Sequence, residues 1–287
     1  MTSSRIAGIP LGRGFTRLGV LLLAAAAPLS SQERSTWERR SAPTQVGPTV
    51  FHATQALNLP TAVTAGAGEF LFEISHRFVP AISADGTFLG LDGPVRYRLG
   101  LAYGISDRIM MGLTRSNLDD NLDLGARIRV LEGIAPLPFQ VAVAGGMAWN
   151  KEVGGLAGSS TQYHGALIVN AGVGGRVALG VVPAVVANPL VRVDGEEALF
   201  SMGLLGQVYL TDMLSLVGEW TLTDESDALP YDPVSFSVEF ETGGHFFRVG
   251  VTNSLRLNPS QYLAGAAQEF TGDELRLAFN ISRVLAF

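Results

Sequence analysis

The stretch Leu275-Arg-Leu-Ala-Phe-Asn-Ile-Ser-Arg-Val-Leu-Ala-Phe287 closes the chain, and its period decides the fold. Leu275, Leu277, Phe279 and Ile281 alternate with Arg276, Ala278, Asn280 and Ser282, and Leu285 and Phe287 end the run. A β-strand sends successive side chains to opposite faces, so this segment has one greasy and one polar or small face. The alternation recurs upstream. Val95, Tyr97, Leu99, Leu101 and Tyr103 interleave with Arg96, Arg98, Gly100, Ala102 and Gly104. Leu122, Leu124, Ala126, Ile128 and Val130 do so with Asp123, Gly125, Arg127 and Arg129, and Val234, Phe236, Val238 and Phe240 with Ser235, Ser237, Glu239 and Glu241.

Twelve such segments are legible, at 68–78, 95–104, 108–115, 121–131, 138–149, 161–171, 176–187, 199–210, 214–222, 233–241, 245–253 and 274–287. Most reach the roughly 9 to 11 residues with which a tilted strand crosses a bilayer. Their connections sort by length. Short ones surround 105–107, 132–137, 172–175, 211–213 and 242–244. Long ones span 79–94, 150–160, 188–198, 223–232 and 254–273, with 116–120 a modest exception. Outer-membrane barrels have short periplasmic turns and longer extracellular loops, and an even strand count brings both ends to one side. The expected fold is therefore all-β: a closed antiparallel transmembrane barrel of about twelve strands.

Composition agrees. Hydrophobic residues make up 47% of the chain, yet no apolar run beyond the N-terminus approaches the roughly 20 residues of a membrane helix. The 34 glycines disfavour helices, and with no cysteine there are neither disulfides nor thiolate metal sites. A net charge of −6 argues against nucleic acid as a partner.

At the N-terminus, Arg5, Arg13 and Arg17 precede the apolar stretch Leu18 to Ala27, the pattern of a secretory signal. Cleavage is expected between 26 and 32. The organisation read from sequence is a signal peptide at 1–31, a periplasmic N-terminal arm at 32–66 and the barrel at 67–287. Within the arm, 51–61 has two readings, a free periplasmic strand of chain or an insert into the lower mouth of the barrel.

The stretch Phe51-His-Ala-Thr-Gln-Ala-Leu-Asn-Leu-Pro-Thr-Ala62, followed by Glu73-Ile-Ser-His-Arg-Phe78, resembles the opening of a bacterial β-barrel family known as a domain of unknown function. Gly90-Leu-Asp92, Arg98-Leu-Gly-Leu-Ala-Tyr-Gly-Ile105 and Gly112-Leu-Thr-Arg-Ser116 resemble its next motifs. The resemblance runs from about residue 46 to the end, and implies the barrel fold and a membrane location but no substrate. The closing Asn280-Ile-Ser-Arg-Val-Leu-Ala-Phe287 is similar to the signal read by the outer-membrane assembly machinery, with Asn280, Leu285 and Phe287 at its marked positions and Ser282 in place of a Gly.

The polar parities define the expected lumen. With the first strand running outward, Arg77, Arg96, Arg98 and Arg276 fall near its extracellular end, and Glu73, Glu239, Glu241 and Arg248 lie lower. One reading is a basic constriction that selects small anions. The other, favoured because buried charges need partners, is a network in which arginine pairs with Glu73, Glu239, Glu219 and loop aspartates such as Asp92. Loop 79–94 is read either as a plug or as a surface loop, and loop 254–273, with Tyr262, Leu263 and Phe270, as suited to packing against something.

Aromatics such as Phe70, Tyr97, Tyr103, Trp149 and Trp220 fit interfacial girdles. Of His52, His76, His164 and His245, only His164 takes an inward parity within a strand, with Asn170 on the same face and Ser160 nearby. A satisfied wall histidine is the expectation, with no catalytic residues, metal or cofactor. The first functional reading is a barrel for passage or binding of small, anionic solutes. Its rival is a plugged structural barrel docking a periplasmic or surface partner, and an outer-membrane enzyme stands third. Lipid and the assembly machinery are the expected partners, and a monomer is the default.

Overall fold

The computed structural model describes residues 50–133, 138–151, 160–191, 198–224 and 228–286. Strands are β1 (Glu69–Phe78), β2 (Val95–Ser106), β3 (Ile109–Ser116), β4 (Asn121–Gly133), β5 (Phe139–Asn150) and β6 (Ser160–Val173). They continue as β7 (Val177–Ala187), β8 (Ala198–Tyr209), β9 (Leu214–Thr223), β10 (Val234–Thr242), β11 (His245–Thr252) and β12 (Arg276–Ala286). Each pairs antiparallel with its sequence neighbours, and β12 returns to β1, so the sheet is a closed barrel. Closure runs from Glu69 opposite Ala286 to Arg77 opposite Ala278. Closing the sheet leaves no unpaired strand edge, which a lipid environment demands. All twelve sequence-derived segments are strands, with ends displaced by a residue or two.

The alternation fixes the two surfaces. Leu99, Leu101, Leu113, Leu124, Val143, Leu216, Val238 and Val249 point outward and are exposed. Ser75, Arg98, Asn121, Gln162, Asn170, Glu219, Glu239 and Asn280 point inward and are buried. Trp149 and Trp220 are exposed on the outer face, and Trp220 Nε1 donates to Asp232 at 2.8 Å. Arg283 faces outward in the turn-end part of β12, opposite His245.

Eight strands enclose little more than their own side chains, whereas sixteen leave a channel. Twelve leave space that wall residues cannot fill, and here two segments fill it. From the turn end, 50–66 enters the lumen. Leu57, Leu59 and Ala62 of this plug are essentially inaccessible. It folds back on itself through Ala56 N donating to Leu59 O (2.9 Å) and Thr61 N to Thr54 O (3.0 Å). From the loop end, 253–266 descends and carries the one-turn helix α1 (Pro259–Tyr262). Tyr262 and Leu263 share an apolar cluster with Val50, Phe51, Ala56 and Leu59 of the plug. Burying each of the two plug leucines stabilises the seated plug by about 1.5–3 kcal/mol.

For two segments whose sequence left two readings open, the structure shows which one each adopts. The part of the assumed periplasmic arm that is described, 50–66, is an interior element, because its buried leucines and backbone N–H groups find partners only inside the lumen. Loop 79–94 is no plug: Asp85, Phe88, Leu89, Leu91 and Asp92 are exposed. The expected signal peptide at 1–31, residues 32–49 and Phe287 lie outside the described residues.

Candidate functional site

The inward face of β1, β9, β10 and β12 forms the seat of the plug. Arg77 ends β1 fully buried, and donates from Nη2 to Leu57 O (2.9 Å) and Asn58 Oδ1 (2.8 Å), and from Nη1 to Asn280 Oδ1 (2.9 Å). Asn280 Nδ2 donates to the same Leu57 carbonyl at 2.8 Å. Across the barrel, the Glu219 carboxylate accepts the backbone N–H groups of Asn58 (2.9 Å) and Leu59 (2.5 Å). Asn170 Oδ1 accepts Ala62 N at 2.6 Å, and Arg127 Nη1 donates to Thr54 O (2.6 Å) and Val63 O (2.8 Å). Lower down, His52 Nδ1 lies 2.6 Å from Glu241 Oε2, and the Tyr209 hydroxyl donates to Val50 O at 2.9 Å. An irregular segment deep in a protein must have its backbone polar groups satisfied, and the wall supplies those partners.

The wall also shapes itself to the plug. A Cβ on Gly104 would stand 2.0 Å from the carbonyl oxygen of Gly66, and one on Gly203 2.6 Å from Leu59 Cδ2. At Gly104 only glycine leaves the plug backbone room to pass, while at Gly203 it leaves room for the Leu59 side chain.

The inserted loop has its own seat on β2 to β6. Arg98 Nη1 donates to Leu257 O (2.7 Å), Asn258 Nδ2 to Asn121 Oδ1 (2.5 Å), and Thr114 Oγ1 to Asn258 Oδ1 (3.0 Å). Asn121 Nδ2 donates to Asn150 Oδ1 at 2.7 Å, extending the amide network along the loop-end rim. Burial pushes the Tyr262 phenol up from its ordinary value, which keeps it neutral.

Charged residues divide into three groups. Arg98 pairs with Glu73 in a buried ion pair, joined by Ser75 Oγ donating to Glu73 (2.7 Å) and Gln55 Nε2 to the same carboxylate (3.0 Å). Arg248 sits 2.6 Å from Glu239, which also accepts from Gln207 Nε2 at 2.7 Å. Arg77 forms the plug seat. Glu73 with Arg98 and Glu239 with Arg248 are thus paired in the lumen, and among the described residues no open arginine ring stands there. Three predicted members fall outside this network. Arg276 turns to Glu274 of the loop, 3.1 Å away, rather than toward Arg77. Arg96 lies opposite Arg77 on the inward parity but is only half-buried at the rim, and Asp92 is exposed. Asn280 acts in the plug seat, while Leu285 pairs with Phe70 at the turn end.

Between plug, inserted loop and the β1–β6 wall lies a cavity of about 140 Å³. Gln55 and Pro60 of the plug, Glu73, Arg98, Asp123, Arg127 and His164 of the wall, and Tyr262 of the loop line it, among small and apolar residues. His164 Nε2 lies 2.9 Å from Asp123 Oδ2, so His164 has a partner as expected, though not on its own strand. Asp123 and Arg127 were visible as inward polar positions of β4. Their meeting with His164 and the plug was not, because strand parity gives the facing but not the neighbours across a lumen.

Fold and interior together define a class: a transmembrane β-barrel with a self-plugged lumen. The chain belongs to the family described as Membrane bound beta barrel domain (DUF5777), whose model matches residues 51–285 and thus takes in both plug and barrel. Among curated proteins, none matches it. Solved structures similar to it include the NanC porin (9% identity, 76% of this chain and 99% of that one, TM-score 0.44). Others are an outer membrane channel from Pseudomonas putida F1 (14%, 83% and 100%, 0.41) and outer membrane phospholipase A from Escherichia coli (11%, 82% and 95%, 0.38). At these identities and scores, no activity passes from them to this chain.

Proposed function

We propose that the chain is an outer-membrane barrel that holds a small solute within a closed lumen and releases or passes it when its plug moves. The observation that carries this reading is the cavity of about 140 Å³ between plug and inserted loop, lined mostly by apolar and small residues with a few charged side chains among them. A mostly apolar hollow with a few convergent charged groups is what a small-molecule site requires. Steady passive flow does not suit a lumen filled from both ends; passage needs a displaced plug. The signal sequence at 1–31 and the sorting of short turns from long loops support export and an outer-membrane location.

Planar-bilayer recordings of refolded protein test this. The wild type is expected to stay closed with rare openings, and Glu219→Ala, which removes the acceptor of two plug N–H groups, to open more often. A steady open wild-type conductance, or no change in the variant, would sink the gated reading.

A second reading, a barrel that docks a surface partner, draws support from loop 79–94. Phe88 is 72% exposed and Leu89 55%, with φ of 42° and 59°. Bulky side chains rarely hold a positive φ without a reason. An enzymatic role has less support: the Asp123–His164 pair has no hydroxyl nucleophile bonded to it among the described residues.

A further inference from the structure

We infer that this cavity binds a small carboxylic acid, with its carboxylate on Arg127 and its apolar body against the β1–β5 wall. This rests on the reading of the lumen as a solute-holding compartment, and it names the chemistry of the solute.

The argument begins with the charges that line the space. Glu73 is engaged by Arg98, Ser75 and Gln55, and Asp123 by His164. Arg98 donates further to Leu257 O and Ser75, and its Nε, like that of Arg127, has no acceptor, but it holds Glu73 directly. Arg127 differs. Its hydrogen bonds run only from Nη1, to the carbonyls of Thr54 and Val63, and among the described residues no carboxylate pairs with it. Its Nε is buried without an acceptor. A guanidinium presents five donors in a planar fork whose natural complement is a bidentate carboxylate, and a buried guanidinium that no carboxylate touches directly favours an anionic guest. Asp123 lies four residues away on the same strand, about 13 Å along it, too far to neutralise Arg127.

The surroundings specify the rest of the guest. In the strand register Met110 and Ala144 flank Arg127 on either side. Leu71, Ala102, Gly112 and Pro60 continue this lining. Small residues on adjacent strands leave the hollow, and an apolar cavity of about 150 Å³ is large enough for a benzene ring. A carboxylate on a ring-sized or short branched apolar body fits both halves.

Benzoate is the probe, titrated calorimetrically into the refolded full-length barrel, with benzylamine and benzamide as charge controls. Benzoate is expected to bind, benzylamine not to bind, and benzamide to bind at least tenfold more weakly. Arg127→Gln should weaken benzoate at least tenfold. Because Arg127 also holds the plug, a second variant is needed. Gly112→Leu fills the hollow while leaving Arg127 in place, and a Cβ there meets Ala102 Cβ only at 3.5 Å, an ordinary contact. It should abolish benzoate binding while thermal unfolding of the barrel is retained. Absence of benzoate binding to the wild type, equal binding by either variant, or preference for benzylamine would overturn the inference. Titration reads binding without passage. A barrel that binds benzoate but never conducts keeps this site and loses the gating reading, and one that conducts without binding does the reverse.

Discussion

The Glu219 carboxylate accepts the backbone N–H of Leu59 at 2.5 Å, although 160 residues separate the two in the chain. The same carboxylate takes the N–H of Asn58, so one wall side chain satisfies two consecutive backbone donors at the tip of the plug. A single residue of β9 thereby anchors an element that enters from the opposite end of the sequence. Glu219→Ala would strand both donors in a buried place. Losing a buried acceptor costs about 1–3 kcal/mol, more for a charged one, which is roughly tenfold to a hundredfold in plug opening. The chain has no native cysteine. A Leu57→Cys probe therefore reports opening cleanly, and it should react with a thiol reagent at least tenfold faster when Glu219 is alanine.

Gly104 gives a steric version of the same experiment. A Cβ there would meet the backbone carbonyl of Gly66 at 2.0 Å, and backbone cannot swing aside as a side-chain tip can. Gly104→Val should displace the plug where it crosses β2 and speed labelling at position 57, with strand content by circular dichroism unchanged. Unaltered labelling would mean the plug can shift along the wall without leaving.

The Glu73–Arg98 and Glu274–Arg276 pairs set a buried ion pair of the lumen beside a half-exposed one at the loop-end rim. Glu73→Gln leaves Arg98 as an uncompensated buried charge, which costs about 3–5 kcal/mol. Arg276→Ala removes a partner of Glu274, whose side chain is 46% exposed, and should cost about 0–1 kcal/mol. Urea unfolding of the refolded barrel in micelles measures both, and comparable losses would contradict the placement of Arg276 outside the network.

Phe88 and Leu89 touch little of the barrel, so Phe88→Ser with Leu89→Ser should leave its unfolding free energy within about 0.5 kcal/mol. A larger loss by the same urea assay would show that loop 79–94 packs against the wall.

The barrel was legible because its signals are local. Alternation at Val95 to Tyr103 or Val234 to Glu241 reports that one face meets lipid and the other does not, and this depends on neighbours two residues apart. Twelve strands and the sorting of turns from loops follow from the same one-dimensional pattern. Pairing of Glu73 with Arg98 was within reach, since both lie inward on adjacent strands. Arg276 was misplaced because parity cannot tell whether a rim side chain turns down into the lumen or back to its own loop.

What fills the barrel was decided only by tertiary structure. The segment 50–66 has no period of its own, and its Leu57, Leu59 and Ala62 could equally have served an arm that packs elsewhere. Its place inside depends on Arg77, Glu219, Asn170 and Asn280 converging from four strands on its backbone. Such convergence exists only once β12 has closed on β1. Strand pattern is written residue by residue, whereas the contents of a lumen are set by which distant walls face one another across it. The alternation ending at Leu285 thus determined the container, and closure determined the plug, the cavity and the Arg127 that, among the described residues, no carboxylate meets within it.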